Sequence, residues 1–424
     1  MKFFIIFYLI FWIYIIILKT LKTHDTLFKP NFIYAIFWLL IMSLYSMNLF
    51  NIFEVSNNTL IIIFIGIIAG SLGLEIGQKI SIRKKKNKNY IFSNRRYLAL
   101  VAISIIIFLI TSLNGLQLIL SGSSLGNIRY LERGTIFSND FLEVLYLYIA
   151  TPMSYVIMHV CIYRIFNTDN KKTKYFIMLI AITASSVLTE GGRFIIYYIL
   201  VDCIVLLLLK KKTTILINNK YMKKITTSKT TPYVIVILCV IAFIYITIDR
   251  GSEIYKTIYT YLCGCVPFFD MKLVDFHNKF NGFTYGTTSL NGFLRPFFIA
   301  LEYIGIPSPQ IIKAAESILL NVEQGAHFIA PDIRYNGFVT MFYSFYVDFG
   351  IFGVGILSAI YGFICSKVYI DFTKNNTERN TIIYLIIIQS LSTMMLRFYF
   401  SSYLTALSLV YTLMIFKKGK QRNN

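Results

Sequence analysis

The most chemically specific stretch of the chain is a Gly-Gly-Arg turn, Glu190–Arg193, between two apolar runs. Gly191 and Gly192 leave backbone N–H groups accessible, and Arg193 opens the following helical pattern. The N-terminus of a helix binds anions through such groups, and a guanidinium holds phosphate oxygens in a bidentate way. The turn therefore predicts a phosphate-binding site. A salt bridge from Arg193 to Glu190 at an ordinary turn is the alternative.

Further candidates lie in the polar stretches that separate other apolar runs. Arg250, Arg334 and Arg397 each offer a cation for the same anion. His327 and Asp332 come shortly before an apolar run, close to Arg334 in the sequence, where a general base could accept a proton. A single His or Asp in a loop is more often only solvated, so both interpretations stay open.

The sequence shows no pattern typical of a metal or nucleotide cofactor. Asp270, Asp275 and His277 are close together, but their spacing matches no standard metal site, and an amphipathic surface helix is favoured. Walker, dinucleotide-binding and Asp-x-Asp motifs are missing from the 424 residues. His159 lies inside an apolar run and is interpreted as packed within a helix bundle. We therefore predict catalysis without a metal or cofactor.

Long apolar runs must position these residues. The chain is 56% hydrophobic and 17% aromatic, far above the values for a soluble domain. Several runs approach or reach the ~20 apolar residues of a membrane-spanning helix. They are Phe3–Leu18, Phe32–Phe50, Leu60–Ile76, Leu98–Leu120 and Pro232–Ile248. The pattern predicts a polytopic membrane protein.

The distribution of charge predicts its orientation. The net charge is +21, and residues 79–96 and 210–229 carry eight and seven basic residues without an acid. Lys/Arg excess beside apolar runs marks the cytoplasmic side. A patch that binds nucleic acid or anionic lipid is the less favoured interpretation, because short clusters next to membrane helices usually report topology.

Two long apolar segments must each be a hairpin. Residues 175–209 would form a helix of roughly 50 Å, too long for a bilayer core, and a single crossing would place two basic loops on opposite faces. The turn falls at Glu190–Arg193. By the same argument residues 381–416 turn near Arg397, whereas residues 336–370 form either one crossing plus an interfacial helix or a re-entrant pair.

These inferences predict an all-α transmembrane bundle of about 11 helices, with a range of 10–12. The N-terminus lies outside and the C-terminus inside. Three regions follow: 1–249 with about eight helices, a large periplasmic loop at 250–335, and C-terminal helices with a basic cytoplasmic tail at 336–424.

Arginine is concentrated on the predicted outer face. Seven of the 13 arginines lie there, but only five of the 28 lysines. The seven are Arg129, Arg133, Arg193, Arg250, Arg295, Arg334 and Arg397. Acidic residues keep the large loop near neutral, so a few placed arginines that bind a phosphate-bearing ligand fit better than a general anionic surface.

Three stretches resemble the Wzy family of O-antigen and oligosaccharide repeat-unit polymerases. They are Leu188–Arg193, the loop that begins at Asp249–Gly251 and includes Pro267–Asp270, and Asn336–Phe338 through Tyr346–Gly353. The resemblance implies a GT-C-like glycosyltransferase of lipopolysaccharide or capsule biosynthesis in the bacterial inner membrane. Its implied partners are undecaprenyl-diphosphate-linked glycans, membrane lipid and a chain-length regulator, with no nucleic acid.

The implied reaction joins an acceptor sugar hydroxyl to the anomeric carbon of a chain held on undecaprenyl diphosphate. Arg193, Arg250 and Arg334 would stabilise the leaving diphosphate, and His327 or a loop carboxylate would take the proton. An O-antigen ligase is the alternative within this chemistry. A flippase or other transporter of lipid-linked oligosaccharide is the alternative from another class, although no internal repeat is visible.

The predicted orientation can be tested by cysteine labelling. In a cysteine-free background, an impermeant maleimide should reach a cysteine at position 279 in intact cells but not one at position 86. The reason is that residues 79–96 are predicted to face the cytoplasm and residues 250–335 the periplasm. The opposite labelling pattern would overturn the whole assignment.

Overall fold

A computed structural model gives the positions of most of the chain. It describes residues 2–22, 29–80, 90–122, 140–167, 172–190, 194–216, 235–239, 241, 254–280, 282–324, 327–335 and 337–419. Gly191, Gly192, Arg193 and Arg250 lie outside the described residues. The structure is about 80% helical, which confirms the all-α class.

Seven of the helices described before the polar segment have complete bounds. They are α1 (Lys2–Lys22), α2 (Pro30–Met47), α3 (Asn57–Lys79), α4 (Asn94–Leu120), α5 (Asp140–Asn167), α6 (Lys172–Glu190) and α7 (Phe194–Leu216). A short strand, β1 (Tyr90–Phe92), comes before α4, and α5 contains a π-helical turn at Tyr146–Ala150. These helices hold most of the apolar runs that the sequence singles out.

The polar segment folds into four short helices and a β-hairpin. They are α8 (Ile254–Cys263), α9 (Cys265–Lys279), α10 (Asn291–Glu302), α11 (Gln310–Glu323), β2 (His327–Ala330) and β3 (Ile333–Tyr335). Three helices and a strand follow: α12 (Phe342–Lys374), α13 (Glu378–Ser392), α14 (Tyr403–Ile415) and β4 (Phe416–Lys418).

Five of the described helices are long and apolar enough to cross a membrane: α2, α3, α4, α5 and α12. Three shorter apolar helices occur at Ile6–Ile15, Phe194–Leu208 and Tyr403–Ile415. Several long apolar helices therefore fit the predicted membrane protein. The count of about 11 and the side on which the polar segment lies stay predictions.

The chain divides into two compact units, each assembled from separate stretches of sequence. The first contains residues 1–85, 255–376 and 386–406. The second contains residues 86–254, 377–385 and 407–424. All described candidate residues, His327, Asp332, Arg334 and Arg397, belong to the first unit.

A glycine face on α3 organises the first unit. The face consists of Gly66, Gly70, Gly73 and Gly77. A Cβ atom at Gly73 would collide with the carbonyl oxygen of Ala359 on α12, and one at Gly362 would collide with the carbonyl oxygen of Gly70. Small residues let membrane helices approach until their backbones touch. Glycine at these positions of α3 and α12 therefore determines how closely the two helices pack.

Helix α12 is interrupted near its start. Phe349 has φ −147° and ψ 22°, and Gly350 has φ 63° and ψ −148°, so neither residue is helical. A positive φ is disfavoured for residues with a Cβ, which explains glycine at position 350. Residues 342–374 thus form two helical stretches joined by a kink after the first two turns, and the choice between a crossing with an interfacial helix and a re-entrant pair stays a prediction.

The two ends of the segment predicted to turn near Arg397 belong to the second unit, and both lie at the same strand. The Arg379 guanidinium lies 4.1 Å from the ring centroid of Tyr90, close to the start of α13. Strand β4, directly after α14, pairs antiparallel with β1, with Lys418 opposite Tyr90. Because both ends of the segment lie at β1, the chain reverses direction between them, as a hairpin does.

Packing at the glycine face can be tested with two alanine substitutions. Gly73→Ala should lower the unfolding temperature in detergent, because its Cβ meets backbone of α12 that cannot rotate away; overpacking of this kind costs about 1–3 kcal/mol. Gly355→Ala is the matched control, since its Cβ would meet only Ile65 Cγ2 at 3.6 Å. Equal unfolding temperatures for both variants would contradict the packing.

Candidate functional site

His327 stands at the start of β2 with its imidazole held on two sides. Its ring centroid is 4.7 Å from that of Phe268 on α9. Its Nε2 lies 2.8 Å from the carbonyl oxygen of Gln324. A carbonyl oxygen only accepts, so Nε2 carries the hydrogen in this contact. In the neutral ring the lone pair is then on Nδ1, which is the atom able to accept a proton.

A buried lysine tunes this imidazole. Lys272 is 2% exposed, and its Nζ donates to Asp275 Oδ2 and to the Asn321 carbonyl oxygen, each at 3.0 Å. Burial, followed by the positive charge of Lys272, lowers the pKa of His327 from its usual value of 6.5. A lowered pKa favours the neutral imidazole, which is the form that a general base needs.

Arg397 reaches the same end of α11 as His327. Its Nη1 pairs with Glu323, the last residue of α11, and the His327 ring donates to the residue after it. The segment that carries Arg397 is fastened by backbone bonds, including Met341 N to Met394 O at 2.8 Å. Because Glu323 neutralises Arg397, an anionic ligand must replace or share that carboxylate to bind there.

The β-hairpin places His327 and Arg334, which are close in the sequence, on different strands. Arg334 pairs with Phe328, and both are exposed, whereas His327 pairs with Tyr335, which is buried. Side chains alternate between the two faces of a strand. Arg334 therefore lies on the opposite face of the hairpin from His327. Asp332 is exposed in the turn between the two strands.

Arg295 has a structural role. Its guanidinium lies 3.2 Å from Glu302 at the end of α10 and 2.8 Å from Glu316 on α11. The side chain is mostly buried, so these contacts are shielded from solvent and tie the two helices together. Two carboxylates already match its charge, and it is a weak candidate for binding phosphate.

Asp348 is a buried carboxylate whose contacts sequence reasoning overlooked. Its carboxylate is fully buried beside the break in α12. Oδ1 accepts from Thr284 Oγ1 at 2.6 Å and Thr288 N at 3.0 Å, and Oδ2 accepts from Ser289 N at 2.9 Å. These bonds fasten the turn before α10 to α12. The available signal was an acid inside an apolar run next to glycine.

Asp270 also has a structural partner. Its Oδ1 accepts from Ser56 Oγ at 2.6 Å and from Thr59 Oγ1. A carboxylate is favourable at the N-terminus of a helix, here α3. Within the described residues, no group of three or more His, Cys, Asp or Glu side chains is placed to hold a metal ion.

The second unit contains a buried pair of ionisable side chains. His159 Nδ1 on α5 lies 2.6 Å from Asp202 Oδ2 on α7, with side-chain exposures of 1% and 0%. The sequence interpretation of His159 as packed in a bundle agrees with this burial but did not identify its partner. Ionisable groups within apolar helices cost free energy to bury, and they are usually functional or paired with one another.

Comparison of the chain with protein-family models, with curated proteins and with solved structures finds no match. The resemblance to the Wzy polymerases consequently rests on the quoted motifs alone. Among those motifs, Asp270 and Asp348 make the structural contacts described above, and Arg193 and Arg250 lie outside the described residues.

The role of Asp348 predicts a large effect from a small change. Asp348→Asn keeps one oxygen but presents NH₂ to a backbone donor, so the buried N–H of Ser289 or Thr288 loses its acceptor. Losing a buried hydrogen bond to a charged group costs about 1.5–3 kcal/mol. We expect a lower unfolding temperature in detergent and faster proteolysis at residues 282–290.

Asp332→Asn is the control for this prediction, because Asp332 is exposed in the hairpin turn. It should leave both the unfolding temperature and the proteolysis pattern unchanged. If Asp348→Asn were as stable as Asp332→Asn, the buried carboxylate would not be what fastens the turn.

Proposed function

We propose that the chain is a GT-C-like membrane glycosyltransferase that polymerises undecaprenyl-diphosphate-linked repeat units into O-antigen or capsular polysaccharide. The observation that carries the proposal is the neutral, half-buried His327 at the same end of α11 as Arg397. A proton acceptor and a cation are the two groups that transfer from a diphosphate requires. The membrane-length helices fit a lipid-linked substrate.

In the proposed reaction, an acceptor hydroxyl oxygen forms a bond to the anomeric carbon of the donor glycan. The bond from that carbon to the diphosphate oxygen breaks, and the electron pair leaves with undecaprenyl diphosphate. His327 Nδ1 takes the hydroxyl proton. The cation that stabilises the charge developing on the diphosphate is Arg193 or, alternatively, Arg397, which would exchange Glu323 for phosphate. Arg250 and Arg334 are further candidates for this role.

Two other functions compete with polymerisation. An O-antigen ligase would form the same kind of bond but transfer the finished chain to a lipid core. A transporter of lipid-linked oligosaccharide would need ionisable groups within the membrane, and the buried His159–Asp202 pair favours it. A transporter does not require a neutral base. A transferase does, and the geometry of His327 suits that role.

Deletion of the gene separates a polymerase from a ligase by the lipopolysaccharide ladder of the strain. Loss of a polymerase leaves one repeat unit on the core, loss of a ligase leaves none, and a ladder of normal spacing and intensity contradicts both. Complementation with His327→Ala or Arg193→Lys should leave polymerisation about a hundredfold or more below wild type at equal protein level, from loss of the base or of the bidentate fork.

Lys279→Ala serves as the control for these variants, since Lys279 is 54% exposed near the end of α9. It should restore the full ladder. A full ladder at the normal rate from Arg193→Lys would show that the diphosphate binds at another site. The same result from His327→Ala would show that another loop residue is the general base.

A further inference from the structure

Exposed aromatic rings surround the break in α12. Phe283, Tyr285 and Phe349 are 40%, 67% and 40% exposed. The rings of Tyr285 and Phe349 have centroids 6.1 Å apart and planes inclined at 69°. The Phe283 ring fills the space beside Gly350, where a Cβ would approach Phe283 Cζ to 3.1 Å. The three rings therefore form one surface, which we call the ring platform.

The backbone beneath the ring platform is strained. Tyr285 has φ 50°, in the left-handed region, and Gly286 follows with φ 90°. For a residue with a Cβ this conformation is unfavourable. Tyr285 N donates to the Asp348 carbonyl oxygen at 3.1 Å, and the Asp348 carboxylate binds the residues that follow. Buried hydrogen bonds thus impose the strained position of an exposed ring.

Polar groups border the ring platform. His277 is exposed, its Nε2 is 3.0 Å from Tyr346 Oη, and its neighbour Phe276 stacks with Phe283. Hydrogen-bonding capacity beside exposed rings suits a ligand with both apolar and hydroxyl-bearing surfaces.

We propose that the ring platform binds a pyranose ring of the glycan substrate, with Tyr285 as its main stacking residue. The C–H groups on one side of a pyranose are weakly positive and pack against the negative face of an aromatic ring. Its hydroxyl groups then lie at the edge, where His277 can reach them. The identity of the ligand as a glycan rests on the proposed function, whereas the platform itself does not.

Membrane lipid is the rival occupant, since aromatic residues often line the membrane interface. An interface residue needs only an ordinary backbone and apolar neighbours. Tyr285 instead has a strained backbone, a buried carboxylate that enforces it, and a histidine nearby. These features favour a ligand with a defined orientation over a fluid hydrocarbon.

Binding of a soluble glycan tests the proposal. The probe is the repeat-unit oligosaccharide released from the host's own surface polysaccharide by mild acid, titrated calorimetrically into protein in nanodiscs. Tyr285→Phe keeps the ring and should bind within about twofold of wild type. Tyr285→Leu should bind about tenfold more weakly, which corresponds to about 1.4 kcal/mol. Phe297→Leu, at 59% exposure on α10, should be unchanged.

Removing the strain separates binding from structure. Tyr285→Gly should leave the unfolding temperature equal or higher, because glycine tolerates positive φ, while glycan binding falls. A lower unfolding temperature would show that the ring supports the fold, and would overturn the proposal. So would extra quenching of Tyr285→Trp fluorescence, relative to the parent protein, by brominated acyl chains.

The probe has no diphosphate, so this test and the ladder fail independently. Binding that depends on Tyr285 in a protein whose deletion leaves the ladder normal would retain the platform and reject the polymerase. A ladder reduced to one repeat unit, together with equal binding by wild type and Tyr285→Leu, would retain the polymerase and reject the platform.

Discussion

A carboxylate that is removed from water among helices is tolerated only when its oxygens are hydrogen-bonded. Asp348 meets this condition with two backbone N–H groups and one hydroxyl from residues 284–289. Those donors can reach it only if α12 is interrupted beside it and the turn before α10 folds against the break. One buried charge thus links the break at Gly350, the path of the polar segment and the position of Tyr285.

The glycine face holds this arrangement in a fixed position. Since α3 and α12 touch along their backbones, α12 has little freedom to shift, and its break is held at one place. Asp270 on α9 caps the start of α3, so α9 is anchored to the same helix pair. Lys272 and Phe268, which surround His327, are also on α9. The candidate base is consequently positioned by helix packing rather than by its own short strand.

Sequence reasoning recovers the features that depend on regular patterns. Apolar run length correctly indicated long helices such as α2, α3 and α4, and the length of 381–416 predicted a turn near Arg397. Features that depend on distant partners were inaccessible. Asp348 and Asp202 sit in apolar runs, and their partners are 59–64 and 43 residues away. Arg334 and His327 are close in the sequence, but strand alternation places them on opposite faces of the hairpin.

On the proposed function, ion pairs in and beside the polar segment determine which anionic ligand can bind. Arg295, Lys272 and Arg397 each contact a carboxylate: Glu302 and Glu316, Asp275, and Glu323 respectively. Because these cations are already paired, their net charge does not attract an anion. An anionic ligand must therefore compete with a carboxylate already in place. A diphosphate carries more charge than one carboxylate and gains further charge as the glycosidic bond breaks. The pairing of Arg397 with Glu323 would therefore favour the transition state over the bound substrate, which is the condition for catalysis.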